Sequence, residues 1–285
     1  PDMLAAGFCK TLAAWRRSTK FHTYREAGQF GRTLESWLDQ VARELLPKDP
    51  AAALALFESF IEADGTFFDC ADDSGGAVGD AVRAACRHWL HAAARCETPT
   101  SVWPGRIVRL VSDDQYGARE ELLRRSELLL DETALRALVV QFESSMASAL
   151  AAPVGEDGPS YEVIKISAAL SLLSKALHDP DVMVRAVLSY SPQPNAIQKE
   201  EFARAYLDVD RPTDALTWLQ GPWGHMEDTR QSLESDALGR LGRYIDSAPI
   251  RQRLFERSIS VFDLHRWLEH LPEASRHQAL ERARE

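Results

Sequence analysis

Seven carboxylates crowd the stretch from Phe57 to Asp80 (Glu58, Glu62, Asp64, Asp69, Asp72, Asp73 and Asp80), and no Lys or Arg falls among them. Hard divalent cations need several oxygen ligands, and Asp69, Asp72, Asp73 and Asp80 are the densest supply in the chain. The same residues also fit a structural role. Asp72, Asp73 or Ser74, followed by Gly75-Gly76 and an apolar-periodic run, is the ordinary start of a helix, and carboxylates are favoured at its positive end. The helix-start pattern is complete without a ligand, so capping takes precedence over a cation or partner site.

Other constellations fall short of a chemistry. Asp73-Ser74-Gly75-Gly76 matches the nucleophile tetrapeptide of trypsin-like serine proteases, but residue 72 is Asp and residue 77 is Ala where those enzymes carry Gly and Pro. That chemistry also needs a His and an Asp held by strands, and both flanks here are helical. An EF-hand loop counted from Asp69 or Asp72 lacks Gly at its sixth position and Glu at its twelfth. Cys86, His88, His91 and Cys96 are spread around one helix, with only His88 and His91 on a shared face, so a tetrahedral metal shell would need ligands from elsewhere. His265, Glu269 and His270 miss the inverted zincin spacing by one residue. There is no phosphate loop, no G-x-S-x-G and no dinucleotide fingerprint, and no cofactor is expected. Arg106, Arg109, Arg119, Arg124 and Arg125 form a run that could line a basic groove. Of seven tryptophans, Trp103 and Trp223 sit in Trp-Pro and Pro-Trp contexts that read as loops and as exposed contact residues.

Helices must position all of these groups. Val41–Leu90 organises the chain. Leu45 and Leu46 close one helix, Pro47 ends it, Asp49 stands where an N-cap belongs, and Pro50 occupies the first helical position. Leu54, Leu56, Phe57, Phe60 and Ile61 make an inner helix with a broad apolar face. After the acidic loop, Val78, Val82, Ala85, Trp89 and Cys96 continue as an apolar stripe that buries Trp89. Before this unit, the spacing predicts helices over 3–17 and from about Tyr24 to Leu46, with a break at Phe21–Tyr24. After it come a short helix ending near Asp114 and an antiparallel pair, 120–130 and 132–150.

AAPVGEDGPS (151–160) has two prolines, two glycines and no apolar periodicity, and it divides an N-terminal helical subdomain (1–150) from a C-terminal one (161–285). In the second, His178-Asp179-Pro180 repeats the corner of Lys48-Asp49-Pro50, and later corners are expected at Pro212, Pro249 and Pro272. Those prolines are unevenly spaced, so any repeats are degenerate. Nothing reads as a strand. The fold expected is all-α, degenerate antiparallel helix pairs stacked into a curved solenoid.

KEEFARAYLDVDRPTDALTWLQG resembles a tetratricopeptide-like helix pair. Together, LPKDPAAAL, DDSGGAVGDAVR, FARAYLDVDRPTDALTWL and LFERSISVFDLHRWLEHLP resemble an uncharacterised family of bacterial helical-repeat proteins over most of residues 40–272. The resemblance implies the fold and no assigned activity. A similar stretch accompanies SWIM-type zinc fingers elsewhere, but this chain has no CxC…CxH ligands, so no zinc role carries over.

Composition sets the outer bounds. The chain of 285 residues is 45% hydrophobic, enough for a sizeable core, and its formal net charge of −10 argues against a nucleic-acid backbone as main partner. No apolar run approaches the roughly 20 residues that span a bilayer, so no membrane partner is expected. The four cysteines lack CxxC spacing and read as reduced, mostly buried thiols of a cytoplasmic protein. The chain begins at Pro1 without a Met, as a fragment or trimmed chain would. Three functions are compatible with these residues. The first is a non-enzymatic scaffold binding a protein or peptide, a basic one given the acidic loop. The second is a divalent-cation enzyme using Asp69, Asp72, Asp73 and Asp80. The third is a HEAT-like nucleic-acid binder using the arginine run.

Overall fold

A computed structural model describes residues 2–151 and 159–283. The helices in order are α1 (Asp2–Arg16), α2 (Tyr24–Gln40), α3 (Pro50–Ile61), α4 (Asp64–Asp69), α5 (Ala77–Ala93), α6 (Trp103–Ser112), α7 (Glu121–Arg124), α8 (Glu132–Ala151) and α9 (Tyr161–Ala176). They continue with α10 (Pro180–Tyr190), α11 (Ala196–Asp208), α12 (Pro212–Trp218), α13 (Glu227–Arg240), α14 (Tyr244–Ser258), α15 (Val261–Glu269) and α16 (Glu273–Arg282). Among the described residues there is no strand, only an isolated parallel bridge between His22 and Ala71. No described helix is long and apolar enough to cross a membrane. Most of the expected linker, residues 152–158, lies outside the described residues. The chain divides into two compact units, Pro1–Leu177 and His178–Glu285.

In the first unit, α5 is the central helix, packed on α3 and α2. The α2–α3 corner forms as its residues dictate. A π-helical turn over Val41–Leu45 extends α2, and Asp49 Oδ1 accepts from the Ala52 amide at 2.9 Å to open α3 with Pro50 in its first turn. Leu54, Phe57, Phe60 and Ile61 are all buried, so α3 is an inner helix. Gly31 lets α2 cross the start of α5 closely: a Cβ there would stand 2.7 Å from the Ala77 carbonyl oxygen. The helix expected over 120–130 is instead the single turn α7 followed by a 3-10 turn at Ser126–Leu128, and α8 and α9 pack together beyond it.

The second unit gathers Phe202, Ala203, Ala215, Leu219, Trp223 and Leu233 into one core, and Phe255 and Trp267 stack in a smaller one. Its corners correct the sequence expectation. Pro249 does not turn the chain; it lies inside α14. The corner stands at Gly242, whose φ of 71° is the left-handed conformation that closes helices. Two other left-handed residues, His178 and Asp210, precede the prolines that open α10 and α12. Asp210 follows His178 by 32 residues, and Gly242 follows Asp210 by 32. Left-handed residues also stand at Gly221, Gly224 and Ile259, so the left-handed positions of this unit keep no single period; Tyr244 opens the helix after Gly242 where Pro opens α10 and α12.

Candidate functional site

The acidic stretch and the arginine run lie against each other. Glu58 projects from α3 toward α5 and α6. One of its oxygens accepts from Trp89 Nε1 at 2.9 Å and from Arg106, and the other accepts from Arg109. Arg109 also donates to Glu62 at 2.7 Å, a hydrogen bond that leads the causes raising its pKa. Arg119 grips Asp64 with two parallel hydrogen bonds of 2.7 and 2.8 Å and donates to the Leu110 carbonyl at 3.0 Å. Both of its charged groups are nearly solvent-free, at 6% and 5% side-chain exposure. Arg124 and Arg125 pair with Glu121 and Glu127. Each of the five arginines thus has a carboxylate within ion-pair distance.

The four loop aspartates do not converge. Asp69 accepts from the Tyr116 hydroxyl at 3.3 Å. Asp72 accepts from the Ser74 hydroxyl at 2.5 Å and the Ser74 amide, which hold its carboxyl below the usual range. Asp73 accepts from the Val78 and Gly79 amides at 2.7 and 3.0 Å and so caps α5, as the helix-start pattern predicts. Asp80 pairs with Arg83 at 2.6 Å. Among the described residues no group of three or more His, Cys, Asp or Glu could hold a metal ion. Asp73→Ala should therefore lower stability by about 0.5–2 kcal/mol, and Asp73→Asn by less, since an amide keeps one of the two acceptor oxygens. Mg²⁺, Mn²⁺ or Ca²⁺ should leave Tm unchanged. A cation site would stabilise by about 2.7 kcal/mol at a hundredfold excess over Kd, seen as a saturable Tm rise that Asp72→Asn with Asp73→Asn removes.

Trp103 and Trp223 are not exposed contacts. Trp-Pro here is the first turn of α6, and the Trp103 ring, 2% exposed, meets Trp89 edge-on at 5.8 Å with Arg106 over its face. Pro-Trp folds back before α13, placing Trp223, 4% exposed, in the core of the second unit. Of the cysteines only Cys86 is fully buried, and burial pushes its thiol up; Cys9 is exposed, and all four are unpaired. His88 stacks on Phe57, and burial lowers its pKa. His265 pairs with Glu269 on the surface, while His270 Nδ1 faces the Ser247 hydroxyl at 2.7 Å.

A concave feature lined by cations and aromatic rings lies elsewhere in the first unit. α1 rests on α3 and α4, whereas α2 packs on α5, and a groove runs between α1 and α2. It comprises two cavities of about 500 and 600 Å³ that share Trp15, Gln29 and Thr33. Phe8, Trp15, Trp37, Phe30 and Phe67 form its aromatic bed, in edge-on contacts at 5.7–6.4 Å. At the end nearer the α1–α2 turn, His22 stacks flat on Phe30 at 4.2 Å, and burial, then Lys20, lower its pKa. The acidic loop supports this end: the His22 amide donates to the Cys70 carbonyl at 2.8 Å, and the Asp72 amide donates to the His22 carbonyl at 2.9 Å. Lys20, Arg25 and Arg32 line the groove, and among the described residues none has a carboxylate within ion-pair distance. Glu26, the acid beside them, accepts from the Thr23 amide and hydroxyl at 3.0 Å each. A signal for this site was present in the sequence. Residues 3–33 carry six Lys or Arg (Lys10, Arg16, Arg17, Lys20, Arg25 and Arg32) against one acid, Glu26, in a chain of net charge −10.

An all-helical protein whose 58–80 carboxylates are engaged within the fold, with a cation-lined aromatic groove between α1 and α2, is the class these features define. The chain belongs to DUF6880, a family of unknown function whose model matches residues 1–285. No curated protein and no solved structure matches it.

Proposed function

We propose that this protein is a non-enzymatic scaffold of tetratricopeptide-like helix pairs whose α1–α2 groove binds a segment of a protein partner, and that the segment is acidic. The observation that carries the reading is the asymmetry of charge. The acids of the 58–80 stretch are engaged within the fold, while Lys20, Arg25 and Arg32 line an aromatic groove with no carboxylate at ion-pair distance, Arg32 donating only to Gln29. A basic partner drawn to the acidic loop, the expectation from sequence, loses its main attraction on this account. Three of the left-handed positions of the second unit, 178, 210 and 242, fall 32 residues apart, and that spacing supports a repeat architecture, since such chains reuse one supersecondary unit. Four unpaired thiols suit a reducing compartment such as the cytoplasm.

The two rival functions have less to draw on. Asp69, Asp72, Asp73 and Asp80 each serve a different partner, so a cation would have to dismantle a helix cap to recruit them. Arg106, Arg109 and Arg119 are neutralised by Glu58, Glu62 and Asp64, which leaves little of a basic track for a nucleic-acid backbone.

Fluorescence anisotropy with short labelled peptides tests the reading. Peptides rich in Glu and aliphatic or aromatic residues should bind more than about tenfold tighter than Lys-rich counterparts, because like charges juxtaposed at an interface cost several kcal/mol. The triple variant Lys20→Glu, Arg25→Glu and Arg32→Glu should reverse that preference. Equal binding of both peptide sets, or no change in the variant, overturns the proposal.

A further inference from the structure

The geometry points to a particular anchor for that partner: the pocket at the α1–α2 turn receives an anionic aromatic group, the phosphorylated tyrosine side chain of the acidic segment. This inference rests on the groove reading and narrows it. The cavity there, about 500 Å³, is roomy enough for a substituted ring together with flanking backbone. Part-buried Trp15 and Phe30 line it, the buried Phe67 backs both of them edge-on, and His22 stacks flat on Phe30. Aromatic beds of this kind reward a ring laid against them rather than a flexible aliphatic chain. Lys20 and Arg25 line the same cavity and are the groups that would meet a dianion. Guanidinium pairs phosphate oxygens two at a time, and ammonium acts as a point charge.

Two other ligand classes fit less well. A compact aryl phosphate would occupy one end only, yet the cavity adjoins the second one along α1 and α2, with Trp15, Gln29 and Thr33 lining both, which favours a ligand that continues as a chain. A single-stranded nucleic acid would need cations spaced along its whole path. Here Lys20 and Arg25 line one cavity and Arg32 alone the other, each cavity also has a carboxylate in its lining (Glu26 and Glu44), and the protein as a whole carries net charge −10.

The experiment uses the full chain and compares ligands by calorimetry. They are an acidic peptide with phosphotyrosine, the same peptide with tyrosine, the same with phosphoserine, phenyl phosphate, inorganic phosphate and a short oligothymidylate. The phosphotyrosine peptide should bind about tenfold or more tighter than the tyrosine peptide, the difference a charge-assisted pair supplies. It should also exceed the phosphoserine peptide by about fivefold or more, the lower end of what one stacked ring contributes. Lys20→Glu with Arg25→Glu changes two exposed side chains and should erase the phosphate gain with an unaltered melting curve. Trp15→Leu should erase the preference for phosphotyrosine over phosphoserine. Tyrosine and phosphotyrosine peptides binding alike, both better than a basic peptide, overturns the anchor while the groove reading stands. Phenyl phosphate binding with no peptide binding overturns both. Oligothymidylate binding more tightly than the phosphotyrosine peptide, and losing affinity in the double variant, overturns the anchor in favour of a nucleic acid.

Discussion

Arg119→Met should destabilise the first unit by about 3–5 kcal/mol, the range for stripping one partner from a buried ion pair. Arg119 and Asp64 sit at the two ends of a link between α4 and the α6–α7 connection, with side-chain exposures of 6% and 5%. Removing the guanidinium leaves a carboxylate whose remaining close donor is the Gly65 amide at 2.6 Å, and it frees the Leu110 carbonyl near the end of α6. The cost is chiefly that of an unpaired buried charge, so it should largely vanish when the charge is removed as well. Asp64→Leu combined with Arg119→Met should recover most of the loss, because well-packed apolar replacements of buried pairs are often neutral or better. Native-state hydrogen exchange of the α5 amides reports the first unit separately from the second, where a single melting curve would merge them. A loss below about 1 kcal/mol for the single variant, the scale of ordinary surface changes, would mean that water reaches this pair.

Local chemistry was legible in the residues, and long-range pairing was not. Pro47, Asp49 and Pro50 announce a corner, and Asp49 caps α3 as they require. Asp73 before Gly75-Gly76 announces a helix start, and it caps α5. Trp89 on a three- and four-residue stripe announces a buried ring, and it is fully buried. Each of these depends on neighbours within about one or two helical turns, where chain geometry alone decides who meets whom. Glu58 and Asp64 find their arginines across 48 to 55 residues, and no periodicity carries that information. So the same seven acids looked available in the sequence and are occupied in the fold. Trp103 and Trp223 fail for a related reason: proline beside tryptophan marks a break in helix, but a break next to a helix start buries its ring as readily as a tip exposes it. The N-terminal groove escaped notice because the whole-chain charge conceals a basic segment, while splaying of α1 from α2 depends on what each packs against.

Trp89→Ala should cost about 3–5 kcal/mol, as large aromatic truncations in cores do. The ring is 0% exposed on the central helix α5 and faces three other groups at once. It meets Trp103 edge-on at 5.8 Å, lies under the Arg106 guanidinium at 5.5 Å, and donates its indole N–H to Glu58 at 2.9 Å. Truncation thus opens a cavity and also removes a neutral donor from a carboxylate that two arginines share. Trp89→Phe separates the two contributions. It keeps most of the buried area and loses the N–H, so it should cost about 1.5–3 kcal/mol, the worth of a hydrogen bond to a charged group. Hydrogen exchange on α5 and α3 should show the alanine variant clearly worse than the phenylalanine one. If Trp89→Phe were as damaging as Trp89→Ala, the polar contact to Glu58 would dominate and packing would be secondary. If both fell below about 1 kcal/mol, the range of surface substitutions, α5 could not be the helix on which α2 and α3 close. The α1–α2 groove would lose its support with it, since α2 is held by α5 and α1 by α3.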